Sequence, residues 1–306
     1  MNASGAGWQG QTGGGSFGIR AVTFMVKNFG ASFVYFFMAF AIPFYVLSKN
    51  GGRRDIWGFY RRRMGFGRWK SFRSLWGCYY CFGKVVIDKF ASYGGATEGY
   101  SVDIDAHASA VQGEIHASED GAIITSAHVG NLEALGTLFS QHDKECYCTV
   151  YSGEREDILE KRAEALGTNH IHLVPVPLGG GAEYIFEINN ALDEGGVVLM
   201  MSDRMTEGAR GIWCSLFGKE VEMPAAAFAM SVKMDVPLYT AFVMRTGYCR
   251  YKVIWEKIDF PDRDSADKDR IVARAEEFCR RLEDIVRKYP LQWFNFYDFW
   301  RENSHE

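Results

Sequence analysis

The segment "GAIITSAHVGNLEAL", residues 121–135, changes character near its middle. Residues 121–127 are small or apolar and include two adjacent isoleucines, which favours a short buried strand. Helical spacing of apolar residues begins at Leu132, directly after Asn131, a residue type that caps helices well. The segment therefore predicts a strand, a short turn that contains His128, and then a helix.

Further apolar segments of strand length follow along the chain, and helical patterns separate several of them. The additional predicted strands are 145–151, 171–176, 196–202, 237–245 and 249–256. The predicted helices are 132–140, 154–166, 182–194, 224–234 and 265–288. Short strands that alternate with helices are typical of α/β proteins. We therefore predict an α/β fold with a mainly parallel central sheet flanked by helices.

The predicted turn places His128 at the carboxyl end of a strand, where open α/β sheets usually hold their sites. Glu133 falls in the first turn of the following helix, where the helix dipole stabilises a carboxylate. A carboxylate that holds one ring N–H of a histidine leaves the other ring nitrogen as a base, and the nucleophile would then come from the substrate. A lone histidine before an ordinary helix start gives the same pattern, so both interpretations stay open at this point.

The composition narrows the classes of function. The chain has 306 residues, of which 47% are hydrophobic and 15% aromatic, so it is too apolar for disorder and long enough for a sizeable core. The high aromatic share favours contact with lipids or other apolar ligands. The formal net charge of −4 argues against nucleic acid as a partner of the whole molecule.

Residues 29–47, "FGASFVYFFMAFAIPFYVL", contain no charged side chain and approach the ~20 residues that a helix needs to cross a bilayer. We predict an N-terminal apolar membrane-anchoring helix that spans the membrane or lies in one leaflet, with a buried core helix as the alternative. The Gly- and Ser-rich start predicts a flexible N-terminus. Its GxSxG pattern around Ser16 lacks a preceding strand, so it does not predict a nucleophile elbow. The chain thus divides into residues 1–50 and a main domain, 51–306.

Residues 49–73 contain nine basic side chains and one acidic side chain, interleaved with aromatic residues. Directly after an apolar helix, this combination suits an anionic lipid surface, so we predict that residues 51–90 form a basic-aromatic segment facing the membrane. The positive-inside rule then places the main domain in the cytoplasm. RNA binding or an ordinary solvated helix would produce a similar charge pattern.

The sequence contains neither a zinc-site pattern nor a phosphate-loop pattern. The CxxC at Cys78 and Cys81 and the CxC at Cys146 and Cys148 have no partner pairs at zinc-site spacing, so we predict buried, reduced thiols. HExxH is absent from the sequence, and the glycine-rich stretch 176–186 lacks GK[ST]. We therefore predict no metal and no bound cofactor.

The segment "AHVGNLEALG", residues 127–136, resembles the HxxxxD/E signature of the lysophospholipid acyltransferase superfamily. Over about residues 20–300, the chain most resembles the late acyltransferases of bacterial lipid A biosynthesis. The other matching segments, in the order typical of that family, are "VVLMMSDR" (197–204), "CSLFGKEVEMPAAAFAMSVKMDVPLY" (214–239) and "YPLQWFNFYDFW" (289–300). One departure is the pair Asp203-Arg204, where the family usually has Asp-Gln.

The resemblance implies that residues 51–306 form an acyltransferase domain in which His128 is the general base and Glu133 orients its imidazole. The co-substrate would be an acyl thioester of acyl-carrier protein or CoA. The acceptor would be a hydroxyl or amine of a membrane lipid such as a lipid A precursor. Backbone N–H groups of Gly130 and Asn131 would bind the oxyanion, because a helix N-terminus points there.

The resemblance also implies that Asp203 shapes the site and that three cations contact phosphate or phosphopantetheine. These cations are Arg204, Arg210 and Lys219. The enzyme would lie at the cytoplasmic face of the bacterial inner membrane. A lysophospholipid or an aminoacyl or other lipid is an alternative acceptor. A non-catalytic lipid-binding scaffold is the alternative from another class of protein.

Overall fold

The computed structural model describes residues 15–47, 51–135, 144–151, 170–177, 183–205, 208–259, 264–297 and 299–300. Several predicted features lie outside these residues. They are the helix 154–166, the second half of the helix 132–140, the tip of the glycine-rich loop and most of the flexible N-terminus.

Helices and strands alternate along most of the described chain. The α-helices are α1 (Gly15–Leu47), α2 (Gly51–Gly58), α3 (Arg68–Tyr93), α4 (Ala106–Ala117), α5 (Glu183–Asp193), α6 (Ala226–Lys233) and α7 (Asp267–Lys288). A π-helical turn spans Phe59–Arg63, and a 3-10 helix spans Leu132–Leu135. The strands are β1 (Ser101–Asp103), β2 (Ala122–Ser126), β3 (Cys146–Tyr151), β4 (Ile171–Val176), β5 (Val197–Met201), β6 (Gly211–Leu216), β7 (Lys219–Pro224), β8 (Leu238–Gly247) and β9 (Arg250–Ile258).

The central sheet has seven strands in the order β1-β9-β8-β2-β5-β3-β4. All neighbouring pairs are parallel except β8 and β9, which are antiparallel. This arrangement confirms the predicted α/β fold with a mainly parallel sheet. Strand β2 lies between β8 and β5, and Ser126 pairs with Met201 at the ends of β2 and β5. The residues that follow these two strands therefore emerge side by side at one edge of the sheet.

The sheet is covered on both faces, which explains why its central strands are uniformly apolar. On one face Ile123 belongs to a core cluster with Phe228 of α6 and Phe278 of α7. On the other face Ile124 belongs to a cluster with Val111 of α4. Successive residues of a strand point to opposite faces, so β2 contributes to both cores. Full burial of one such side chain stabilises the fold by roughly 1.5–3 kcal/mol.

Helix α1 packs along α3 and is kinked at Gly30, whose φ of +78° lies outside the helical region. Residues Phe17–Leu47 are long and apolar enough to cross a membrane by length and composition, and 28% of their most apolar window is buried. The exposed aromatic residues of this helix are Phe17, Phe24, Phe29, Phe33, Phe36, Phe37, Phe40, Phe44 and Tyr45. One such helix is a weak sign of membrane association, and its exposed aromatic side points the same way, because a core helix buries these side chains.

The sequence patterns did not predict the antiparallel hairpin of β6 and β7. Its two-residue turn consists of Phe217 and Gly218, which both have positive φ values, 51° and 71°. Such a turn usually carries Asn or Asp at the first position, because a bulky residue is strained there. The turn was not predicted because Phe217 is an unusual residue at this position. The polar-apolar alternation of "KEVEMP" is nevertheless typical of a strand.

The seven cysteines are free, and all except Cys81 are buried. Burial raises the pKa of the Cys78 thiol to about 12 and that of Cys81 to about 11. A thiol with so high a pKa is almost entirely protonated at neutral pH and is a poor nucleophile. The CxxC pair is therefore part of the packing against the C-terminal segment, residues 289–297, where Cys78 Sγ lies 3.9 Å from the carbonyl of Trp293.

Candidate active site

His128 and Asp203 meet at the carboxyl edge of the sheet. Each residue lies two positions beyond the paired strand ends Ser126 and Met201. Nδ1 of His128 lies 2.7 Å from Oδ1 of Asp203, and the backbone N–H of His128 donates to Oδ2 of the same carboxylate at 2.9 Å. One carboxylate thus holds both the ring and the backbone of the histidine. The Asp203 side chain is fully buried, whereas that of His128 is 30% exposed.

The C-terminal segment closes around this pair. The indole N–H of Trp293 donates to Oδ2 of Asp203 at 3.2 Å, and the hydroxyl of Tyr297 donates to the Asp203 carbonyl at 3.1 Å. The backbone N–H of Phe294 donates to the His128 carbonyl at 2.9 Å. Because each donor comes from the same segment, the position of Asp203 depends on how the chain end packs against the sheet.

The electrostatics favour a neutral imidazole beside an ionised carboxylate. Burial lowers the pKa of His128 below its ordinary value, and the Arg204 charge acts in the same direction, while Asp203 opposes both. Burial alone would raise the pKa of Asp203, but the combined effects of His128 and Arg204 hold that pKa below its ordinary value. A general base must be unprotonated at the working pH, and this arrangement provides that state near neutrality.

The Asp203 contact also selects the tautomer of His128. A carboxylate accepts hydrogen bonds, so Nδ1 carries the proton that it donates to Asp203. The lone pair is then on Nε2, the second ring nitrogen. A base held by a buried carboxylate in this way is the base-and-orienter part of a catalytic triad, and the nucleophile must come from the substrate.

Glu133 has other contacts than those expected from the sequence. Nζ of Lys89 lies 2.6 Å from Oε1 of Glu133, and the hydroxyl of Tyr93 donates to Oε2. Both partners belong to α3. The carboxylate on Nδ1 of His128 is Asp203, because the β2–β5 register delivers this residue directly to the ring. A catalytic role for Glu133 stays a prediction.

The backbone N–H groups of Gly130 and Asn131 hold the loop in place. Gly130 donates to the carbonyl of Gln292 at 2.9 Å, and Asn131 donates to the carbonyl of Val243 at 2.8 Å. The φ of Gly130 is +59°, and an added Cβ would lie 1.9 Å from the Val243 carbonyl oxygen. Since both N–H groups already have backbone acceptors, the structure does not support the expectation that they bind an oxyanion.

The three cations predicted to contact phosphate lie in different places. Arg204 is next to the pair, and its Nη2 donates to the Phe294 carbonyl at 2.8 Å. Lys219 lies beside the turn of the β6–β7 hairpin and lines a cavity next to Trp293. Arg210 is exposed and precedes β6, at the other end of the hairpin. Of these three cations, only Arg204 therefore lies next to the His128–Asp203 pair.

Sequence reasoning missed Lys89, Tyr93, Trp293 and Tyr297 as parts of the site. Their contacts join residues that are distant in the sequence, so local spacing carried no signal for Lys89 and Tyr93. For the C-terminal pair, a usable signal existed in "YPLQWFNFYDFW", because buried Trp and Tyr side chains usually place their N–H or O–H on a polar partner.

Comparison with models of protein families found a match that includes this site. The family model described as "Bacterial lipid A biosynthesis acyltransferase" matches residues 108–302, a range that contains His128, Glu133 and Asp203. A comparison with curated proteins found no match. The match covers more than half of the chain and includes the whole central sheet except β1. The chain therefore belongs to the bacterial lipid A biosynthesis acyltransferase family.

Proposed function

We propose that the protein transfers a fatty acyl chain from an acyl thioester to a hydroxyl or amine of a lipid acceptor such as a lipid A precursor. The thioester is carried by acyl-carrier protein or CoA. The observation that supports this proposal most directly is the partly exposed His128, held by the buried Asp203 in a member of an acyltransferase family. Such a base activates the acceptor, which is itself the nucleophile, so the protein needs no nucleophilic side chain.

In the proposed reaction, the acceptor group donates a hydrogen bond to Nε2 of His128. The imidazole takes this proton as the acceptor atom attacks the thioester carbonyl, and Asp203 stabilises the imidazolium that forms. The tetrahedral intermediate then collapses with cleavage of the carbon–sulfur bond. The departing thiolate takes the proton from His128, which returns the imidazole to its neutral state.

The proposed location is the cytoplasmic face of the bacterial inner membrane. The exposed aromatic side of α1 and the basic residues that follow this helix support it. A lipid acceptor would then diffuse within the bilayer, whereas the acyl-carrier protein or CoA would approach from the cytoplasm. Partners in this proposal are membrane lipids and the thioester carrier.

The test is acyl transfer by the purified protein in lipid vesicles, measured as thiol release and as acylated lipid. His128→Ala is expected to fold normally and to lose transfer by several orders of magnitude. His107→Ala, an exposed histidine on α4, is the matched control and should keep full activity. Unchanged turnover by His128→Ala would reject the proposal and favour a lipid-binding scaffold.

A separate experiment identifies the acceptor. Mass spectrometry of membrane lipids from a deletion strain and its complemented partner should show one lipid class that loses an acyl chain. Loss from a lipid A species supports the main proposal. Loss from a phospholipid or an aminoacyl lipid assigns the same chemistry to a different acceptor.

A further inference from the structure

A cavity of about 370 Å³ lies beside Trp293 and Tyr297, the two side chains that donate to Asp203. Its walls come from three separate parts of the chain: α2 with the π-helical turn, the tip of the β6–β7 hairpin, and the C-terminal segment. Neither His128 nor Asp203 lines it. The cavity therefore adjoins the candidate active site through one layer of side chains, and its size is within the range of ligand pockets.

The charged wall of this cavity is mainly positive. Among the described residues, Arg62, Arg63 and Lys219 line it together with one carboxylate, that of Asp55. Guanidinium groups bind phosphate oxygens with two parallel hydrogen bonds, and an ammonium group adds a point charge. The guanidinium of Arg62 lies close over Gly58, where an added Cβ would come within 2.5 Å of Nη2. The glycine thus leaves room for the guanidinium at the cavity wall.

The cavity also contains a buried amide. Asn295 is 7% exposed, and its amide interacts with the hydroxyl of Tyr297 but makes no closer hydrogen bond with the described residues. Buried polar side chains normally have a partner, because an unsatisfied donor or acceptor costs free energy. Asn295 lines the same cavity as the cations, so its amide is placed to hydrogen-bond a ligand there.

The backbone that carries the two arginines has an unusual form. Phe59–Arg63 is a π-helical turn, a rare conformation that occurs frequently at functional sites. The hydroxyl of Tyr60 donates to the Pro290 carbonyl at 2.8 Å, which attaches the turn to the C-terminal segment. Arg63 lies 5.0 Å over the ring of Trp300. These contacts hold the turn beside the C-terminal segment that carries Asn295, and both line the cavity.

From these observations we infer that the cavity binds the phosphate group of a substrate. Three cations provide the charge, and the Asn295 amide provides a neutral donor in a site partly removed from water. The inference depends on the proposed acyl transfer in one respect, namely that the bound ligand is a substrate of that reaction. Phosphate is present in two candidate sources, the head group of a membrane lipid and the phosphopantetheine arm of the acyl donor.

Binding is measured by titration calorimetry on the full chain in detergent, with two pairs of probes. Short-chain phosphatidic acid is compared with the matching diacylglycerol, and phosphopantetheine with pantetheine. The variants are Arg62→Gln and Asn295→Leu. Arg280→Gln, an exposed position on α7 with the same change in charge, is the control. At least one phosphorylated probe should bind the wild type and the control with equal Kd, and both cavity variants about tenfold more weakly.

The outcomes separate the two sources. Weakening with phosphatidic acid alone assigns the cavity to a lipid head group, weakening with phosphopantetheine alone assigns it to the acyl donor, and weakening with both assigns it to phosphate from either source. Equal Kd values for all four proteins, or equal binding of the dephosphorylated probes, would overturn the inference. Arg62 is exposed, so Arg62→Gln remains informative if Asn295→Leu is unstable. Binding is also measured with His128→Ala, so that failure of the catalytic proposal leaves this test intact.

Discussion

Nδ1 of His128 lies 2.7 Å from Oδ1 of Asp203, although the two residues are 75 positions apart in the sequence. The contact arises because β2 and β5 are parallel neighbours whose ends are in register. By contrast, Glu133 is five residues from His128 and contacts Lys89 and Tyr93 of α3. The two carboxylates thus have different neighbours, and from these contacts we predict different roles that kinetics can measure.

Asp203→Asn should lower kcat by about 10³- to 10⁴-fold, because an amide stabilises the wrong tautomer of His128 and cannot balance the imidazolium charge. Glu133→Gln should lower kcat less, since it removes a contact with Lys89 and Tyr93 and leaves the ring held by Asp203. Steady-state kinetics on both variants checks the order. A larger loss in Glu133→Gln than in Asp203→Asn would contradict the assignment.

The pH dependence of kcat/KM should have an acid limb set by His128. The base must be neutral, so activity falls as the pH drops through its pKa, and burial places that pKa below the ordinary value of 6.5. Arg204 lowers the same pKa, so Arg204→Gln should move the acid limb to higher pH. A wild-type midpoint above 6.5, or a shift of the variant to lower pH, would argue against His128 as the titrating base.

Gly130→Ala should destabilise the protein by roughly 2–4 kcal/mol, because the methyl group meets the Val243 carbonyl and the positive φ strains any L-residue. Gly113 is a matched control in α4, where an added Cβ meets nothing within 4 Å. Gly113→Ala should stabilise by about 0.5–1 kcal/mol through helix propensity. Denaturant unfolding gives both free energies, and equal effects would show that the loop tolerates a side chain.

Asp88 of α3 links α1 to the sheet. The hydroxyls of Tyr35 on α1, of Tyr100 and of Tyr251 on β9 donate to its carboxylate, and Nε of Arg245 lies 3.5 Å away. Asp88→Asn should lower the free energy of unfolding by about 3–5 kcal/mol, because it leaves the Arg245 charge, which is only 11% exposed, without its counter-ion.

The control for this change is Asp105→Asn, whose carboxylate pairs with Lys252 at 2.8 Å and is 46% exposed. A surface pair contributes about 0–1 kcal/mol, although the same carboxylate also caps α4, so the total loss should stay near 1–2 kcal/mol. Thermal unfolding of both variants in detergent compares them. If Asp88→Asn lowers the free energy of unfolding no more than Asp105→Asn does, the Asp88 cluster does not stabilise the packing of α1 against the sheet.

The fold class and the position of His128 could be predicted from sequence because both depend on local information. Apolar segments of strand length separated by helical periods predicted the β2–β5 and β8–β9 strands within a residue or two at most ends. A residue that directly follows a predicted strand lies at the carboxyl edge of a parallel sheet in any strand order. Helix α1 was likewise visible as an uncharged apolar run.

The partners of His128 required the folded chain. Sequence spacing favoured Glu133, but strand order and register place Asp203 on Nδ1, and neither can be read from periodicity. The N–H groups of Gly130 and Asn131 likewise found acceptors on Gln292 and Val243, segments more than a hundred residues away. Periodic patterns report which face of an element is buried, whereas hydrogen-bond partners depend on which elements become neighbours in space.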